Sequence, residues 1–172
     1  NEKKDGVHKM WRENGEIWSE GNYINGKLDG VHKVWRENGE MWSEGNYING
    51  KKDGVHKGWD NNGELVSENN HIDGKEDGLH KKFYKNDQLY MEVNYTDGKK
   101  DGLFKKWREN GEMWSEGNYI DGKEDGEHKN WRDGELSYTY NYKNGKEDGL
   151  YKNYYKGKVL FTFKYKDGEK ID

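Results

Sequence analysis

An Asp-Gly pair returns along this chain at almost fixed intervals, ending at Gly6, Gly30, Gly54, Gly78, Gly102, Gly126 and Gly149. The gaps are 24 residues five times and then 23. A period of this size means that one small supersecondary unit is laid down repeatedly, each copy burying its surface against its neighbours. The last gap is short because Asp133 stands where other units carry Glu-Asn, as at Glu13-Asn14. The first, second and fifth units are nearly identical through Trp-Arg-Glu-Asn-Gly-Glu-x-Trp-Ser-Glu-Gly-Asn-Tyr-Ile, whereas the others diverge. The period predicts a single repeat domain over residues 1–172, in units of about 7–30, 31–54, 55–78, 79–102, 103–126, 127–149 and 150–172. Asn1 to Gly6 matches Asn49 to Gly54 at five of six positions. The sequence therefore opens inside a turn, and the expectation is a piece of a longer chain.

Within a unit, Gly punctuates too often for a helix, because each interior Gly costs about 1 kcal/mol against Ala. Two strands and two turns fit instead. Val7–Arg12 is a short strand, and Asn14-Gly15 is a strong hairpin signal, expected as a two-residue type I′ turn. Ile17–Ile24 is the second strand, and Asn25–Gly30 is a longer turn into the next unit. Such a turn would set Trp11 opposite Trp18 and Lys9 opposite Glu20, with Tyr23 opposite His32 across the longer loop. Alternation places Val7, Lys9, Trp11, Trp18, Glu20 and Ile24 on one face, and His8, Met10, Arg12, Ile17, Ser19, Gly21 and Tyr23 on the other. Neither face is purely apolar. Only 29% of the residues are hydrophobic and 37% are charged, which is too polar for an ordinary core, yet 15% are aromatic. The 24 Gly and absence of Pro suit many tight turns and uninterrupted ladders. The fold class is all-β: an elongated single antiparallel sheet of tandem β-hairpins, solenoid-like, about seven units long, wet on both faces.

Tyr23-Ile24-Asn25-Gly26-Lys27-Leu28-Asp29-Gly30 has the Tyr-x-Asn-Gly-Lys-x-x-Gly pattern of MORN repeats. It resembles most closely the bacterial MORN variant, whose units continue into an aromatic strand and an Asn-Gly turn. The Tyr position recurs at Tyr47, Tyr95, Tyr119 and Tyr142, with His71 as the departure. The two Gly positions recur as Gly26 and Gly30, Gly50 and Gly54, Gly74 and Gly78, Gly98 and Gly102, and Gly122 and Gly126. The resemblance implies a twisted stack of β-hairpins and a role in protein or lipid contact. It also brings an antitoxin or immunity role, since some bacterial members carry that label. Where an ordinary MORN unit has a further Gly, this chain has His8, His32, His56, His80, Phe104, His128 and Tyr151, so head-group contact is not carried over.

The chemistry-bearing residues recur with the repeat, and that argues against a single active centre. Equivalent histidines lie two strands, about 9.5 Å, apart, too far to share a Zn²⁺ bound at about 2.0–2.1 Å. They are expected to pack beside Tyr23 and its equivalents. Glu20, Glu44, Glu68, Glu92 and Glu116 have the same spacing, beyond the about 5–5.5 Å of a retaining glycosidase pair, and read as partners of Lys9 and its equivalents. Ser19, Ser43, Ser67 and Ser115 lack a triad, and Asn25–Gly30 lacks the acids of a calcium loop. No catalytic residue, metal or cofactor is assigned, and the class is a non-catalytic binding scaffold.

The binding residues are taken to be Trp11, Trp18, Trp35, Trp42, Trp59, Trp107, Trp114 and Trp131, with packing against each other as the simpler role. A protein partner comes first. A carbohydrate or cell-wall glycan stacked on open rings is the alternative, favoured if flat rings face solvent along one side. A net charge of −4 with interspersed signs offers no footprint for nucleic acid, and no apolar run approaches the about 20 residues of a transmembrane segment. Val159–Tyr165, the most apolar strand, is a candidate for edge-to-edge self-association. Export or the surface of a bacterial cell is the favoured location.

Overall fold

A computed structural model describes residues 3–171. Every regular element among them is a β-strand, and the strand pairings within each unit are antiparallel. The chain divides into two compact units, Asn1–Asp87 and Gln88–Asp172. The N-terminal unit holds β1 (Gly6–Trp11), β2 (Ile17–Ile24), β3 (Lys27–Trp35), β4 (Met41–Ile48), β5 (Lys51–Trp59), β6 (Leu65–Ile72) and β7 (Lys75–Phe83). The C-terminal unit holds β8 (Leu89–Thr96), β9 (Lys99–Trp107), β10 (Met113–Ile120), β11 (Lys123–Glu124), β12 (Gly126–Arg132), β13 (Glu135–Lys143), β14 (Lys146–Glu147), β15 (Gly149–Tyr155), β16 (Lys158–Lys166) and β17 (Glu169–Lys170). The fold is the all-β, antiparallel sheet of tandem hairpins that the period predicts.

The two turns of each repeat exchange the roles expected from sequence. Asn25 and Gly26 both have positive φ, 53° and 84°, and Ile24 pairs with Lys27. This is the two-residue type I′ turn, and it joins one unit to the next. Asn14-Gly15 belongs to a three-residue loop: Gly15 N donates to Arg12 O at 3.0 Å and Arg12 N to Glu16 O at 2.8 Å. Of the pair, only Gly15 has positive φ, 84°. That is a turn followed by a left-handed glycine, which shifts the register by one residue. Trp11 therefore pairs with Ile17 and Met10 with Ser19, leaving Trp18 as the extra residue of a bulge. Lys9 opposite Glu20 holds as expected, but Trp11 opposite Trp18 does not. In the sixth repeat the missing residue converts this loop to a two-residue turn, with Asp133 and Gly134 at φ 52° and 75°.

A second irregularity sits where a longer loop was expected. β3 runs through it, with Gly30 at φ 107° inside the strand. Tyr23 pairs with Leu28, and His32 lies opposite Gly21 rather than Tyr23. Gly50, Gly74, Gly98 and Gly122 repeat the turn position of Gly26, and Gly54, Gly78, Gly102 and Gly126 repeat the strand position of Gly30.

The two faces are unequally covered. Ser19, His71, His80, Val93, Ser115 and His128 are buried, and all lie on the face of His8 and Tyr23. Val7, Ile24, Val31, Ile48, Val55 and Leu79 are exposed on the other. Thr139 is the exception: it is buried on the second face, between its pairing partners Lys129 and Lys152.

Candidate binding surface

The covered face is an aromatic ladder. His8 meets Tyr23 edge-on at 5.3 Å between centroids. Further on, the rings run His32, Tyr47, His56, His71 and His80, at successive spacings of 5.8, 5.1, 4.9 and 5.8 Å. The C-terminal unit has Phe104, Tyr119, His128 and Tyr142 in the same role, at 5.6, 6.0 and 4.8 Å. Tyr95 holds its repeat position half-buried. The histidines are packing elements: His56 Nε2 bonds to Asn46 O at 2.7 Å, and His80 Nε2 to Asn70 O at 2.7 Å. Ser19 Oγ lies 2.9 Å from His32 Nε2, a pairing that strand alternation did not reveal.

Burial lowers the pKa of His32, and of His56, where the cations of Lys52 and His32 add to the effect. His71 falls to about 4, first through burial and then through Lys52, His56 and His80. Tyr142 is pushed up to about 12 by burial, with Glu124 and Glu147 adding to it. No cluster of His, Asp or Glu among the described residues is arranged to hold a metal ion.

On the other face, Lys9–Glu20, Lys33–Glu44, Lys57–Glu68 and Lys129–Glu116 form ion pairs at 3.2, 3.4, 3.4 and 3.3 Å. Each glutamate lies between two lysine-bearing strands, as Glu20 does between Lys9 and Lys33. The carboxylates are spent on this partly exposed ladder.

The tryptophans gather at the loop end of the hairpins, seven beside three-residue loops and Trp131 beside the two-residue turn Asp133-Gly134. Trp35, Trp59, Trp107 and Trp131, at the ends of their strands, are half-buried. Trp11 is 59% exposed on β1. The bulge positions carry Trp18, Trp42 and Trp114, which remain 44, 53 and 39% exposed. Trp11, Trp18, Trp35, Trp42 and Trp59 form no ring pairs with one another among the described residues, although Trp18, Trp35 and Trp42 line one groove. Arginines lie beside them. Arg12 Nη2 donates to Trp35 O at 2.8 Å, Arg36 Nη2 to Trp59 O at 2.7 Å, and Arg108 Nη2 to Trp131 O at 3.2 Å. Each guanidinium thus staples its hairpin to the next. Arg36 also lies 5.5 Å from the Trp42 ring centroid, and Arg108 5.8 Å from that of Trp114, within cation–π range. The signal was present in the sequence: Arg recurs beside Trp at the same repeat position.

In the N-terminal unit these residues line an open groove of about 550 Å³ formed by Arg12, Trp18, Trp35, Arg36, Glu37, Asn38, Trp42 and Asn61. Two further recesses share its walls, one lined by Glu13 and Asn14 beside Arg12 and Glu37, the other by Trp59 and Asp60 beside Arg36 and Trp42.

The repeat variant of the MORN family matches residues 4–25, 28–49, 52–73, 76–97 and 100–121. The chain belongs to the MORN repeat variant family. Each matched span of this MORN-variant protein ends on the first residue of a type I′ turn. The sixth and seventh hairpins, each with a two-residue loop at Asp133-Gly134 and Lys156-Gly157, lie beyond the matched spans. No curated protein matches the chain.

Proposed function

We propose that this MORN-variant chain is a non-catalytic scaffold that recognises a partner protein through the loop-side groove of its N-terminal unit. The observation that carries this reading is the pair Trp18 and Trp42. Each is displaced by a bulge, about half exposed, and set among arginines clamped to backbone carbonyls. Fixed Trp and Arg patches supply most of the energy at protein interfaces, and a pre-set groove reduces the ordering cost of binding. A toxin held inactive is one kind of partner such a patch would serve. The ladder glutamates, paired with lysines in water, give no reason to assign a reaction.

Partner capture on the immobilised chain, followed by affinity measurement with the purified partner, tests the proposal. Trp18→Ala and Trp42→Ala should each weaken binding about 30-fold, the ~2 kcal/mol of a hot-spot residue. Unchanged affinity with both rings removed refutes it. A second reading rests on the same open rings, which face solvent along one rim as sugar stacking requires. Binding to a glycan array that is lost in Trp18→Ala would favour it, and an array without hits would count against it.

A further inference from the structure

We propose that the loop-side groove of the N-terminal unit receives a proline-rich segment of the partner in the polyproline II conformation, with a basic residue beside the prolines. The inference rests on the protein-recognition reading and names what the partner presents.

Spacing is the first argument. Trp18 and Trp42 occupy the same position in successive hairpins, two strands apart, so their backbones are about 9.5 Å from one another. A polyproline II helix advances about 9.3 Å per turn, and every third residue returns to the same face. An extended strand returns every ~6.8 Å and an α-helix every ~5.4 Å, so neither keeps step with the two indoles. A polyproline II ligand can rest one residue on Trp18 and the third residue beyond it on Trp42. Val66 stands at the next bulge position, so the matched interval closes after one turn and about six residues of ligand are engaged.

The chemistry of the lining agrees. Trp18, Trp35 and Trp42 make the groove aromatic, which is how such helices are held. The ligand backbone has no internal hydrogen bonds, so its carbonyls can accept from donors such as an indole N–H or a side-chain amide. Charge then fixes the flanking residue. Arg12 and Arg36 each direct a guanidinium N–H to a backbone carbonyl. The carboxylates on the rim are open: the Glu37 side chain is 90% exposed, with only a 4.0 Å contact to Arg12 Nη1, and Glu13 is exposed. The rim is balanced in charge, Arg12 and Arg36 against Glu13 and Glu37, and its exposed carboxylates are the groups open to a Lys or Arg. These 172 residues contain no Pro, so none of them supplies the segment.

The test uses the intact chain and a blocked synthetic peptide of one arginine followed by about nine prolines. A peptide with alternating Gly and Ser in place of the prolines is the control, and chitohexaose probes the glycan reading. Tryptophan emission and calorimetry report binding. The proline peptide should bind saturably, and the Gly-Ser peptide about tenfold or more weaker. Trp18→Ala and Trp42→Ala should each cost about tenfold or more, while Ile120→Ala, outside the groove, stays within about twofold. Replacing the peptide's arginine by glutamate should weaken binding several-fold, and Glu37→Gln should shrink that difference. Absence of saturable binding, equal binding of the Gly-Ser peptide, or binding of chitohexaose in place of the proline peptide overturns the inference. If a tryptophan variant loses its β-sheet circular dichroism, the peptide comparison on the unsubstituted chain decides. A captured partner that depends on Trp18 but is not displaced by the proline peptide overturns this inference and leaves the protein-recognition reading standing. A partner indifferent to both rings removes both.

Discussion

Gly45→Ala adds one methyl group to this protein at a place that has no room for it. The backbone of Gly45 is not in the left-handed region, so alanine meets no conformational objection there. Space is the objection. A Cβ on residue 45 would overlap His56 Nδ1 and Cε1 and lie 2.5 Å from its Cγ. The imidazole cannot easily yield, because Nε2 is bonded to Asn46 O and the ring lies between Tyr47 and His71. Overpacking of this kind costs about 1–3 kcal/mol. Losing the imidazole–carbonyl bond adds about 0.5–1.5 kcal/mol. Replacing Gly by Ala in a strand returns about 0.5–1 kcal/mol of backbone entropy. The net expectation is destabilisation by about 1–3 kcal/mol, read as a lower urea midpoint at pH 7.5 by tryptophan fluorescence. Removing the obstacle should remove the effect. In a cycle with His56→Ala, the double variant should recover about 1 kcal/mol or more relative to the sum of the singles. Gly21→Ala should cost less, since its Cβ would stop 2.8 Å from His32 Cδ2 and Leu28 Cδ2. A Gly45→Ala protein as stable as the parent, or one strictly additive with His56→Ala, would refute the reasoning.

Acid should weaken the N-terminal unit through His71. Its folded pKa of about 4 lies below the ordinary 6.5, so the unfolded chain binds the proton first. Stability is full above about pH 6.5, falls as pH drops toward 4, and levels below; the loss is roughly 1–3 kcal/mol. His71→Tyr, restoring the ring found at Tyr47, should flatten this slope in urea titrations across that range, and an unchanged slope would sink the assignment. Arg36→Ala should cost about 1.5–3 kcal/mol by removing the staple on Trp59 O. Arg36→Lys should not restore it, because a point charge lacks the guanidinium fork; denaturation and near-ultraviolet circular dichroism measure both. The exposed Val159, Leu160 and Phe161 lie on β16, which β17 covers through only two residue pairs. Concentration-dependent association in sedimentation, abolished by Leu160→Lys, is expected there, and a monomer at all concentrations would exclude it.

Much of the fold was legible because hairpin repeats are local. The 24-residue period, Gly at the turns and alternation within strands fix antiparallel neighbours without any distant contact. Lys9 opposite Glu20 follows from that alternation, as does His8 beside Tyr23. The turn types were less legible. Asn14-Gly15 and Asn25-Gly26 are the same dipeptide in the same chain, yet only the second is a type I′ turn. The difference lies in the closing pairs, Arg12 with Glu16 and Ile24 with Lys27, which a dipeptide cannot specify.

The site was half legible for the same reason. Eight tryptophans at recurring positions marked the loop-side rim, but the one-residue shift at Trp18 decides that its ring turns to solvent instead of meeting Trp11. Arg recurs beside Trp in the sequence, but its partners are backbone carbonyls one repeat away, which no side-chain pattern records. The amino-acid sequence by itself determined the unit, its repetition and its strand order, since those depend on turn chemistry and pairing between adjacent residues. Only the tertiary structure decided which face is covered, which rings are open and where bulges fall. Those outcomes depend on register, and register is settled when several hairpins pack their side chains together.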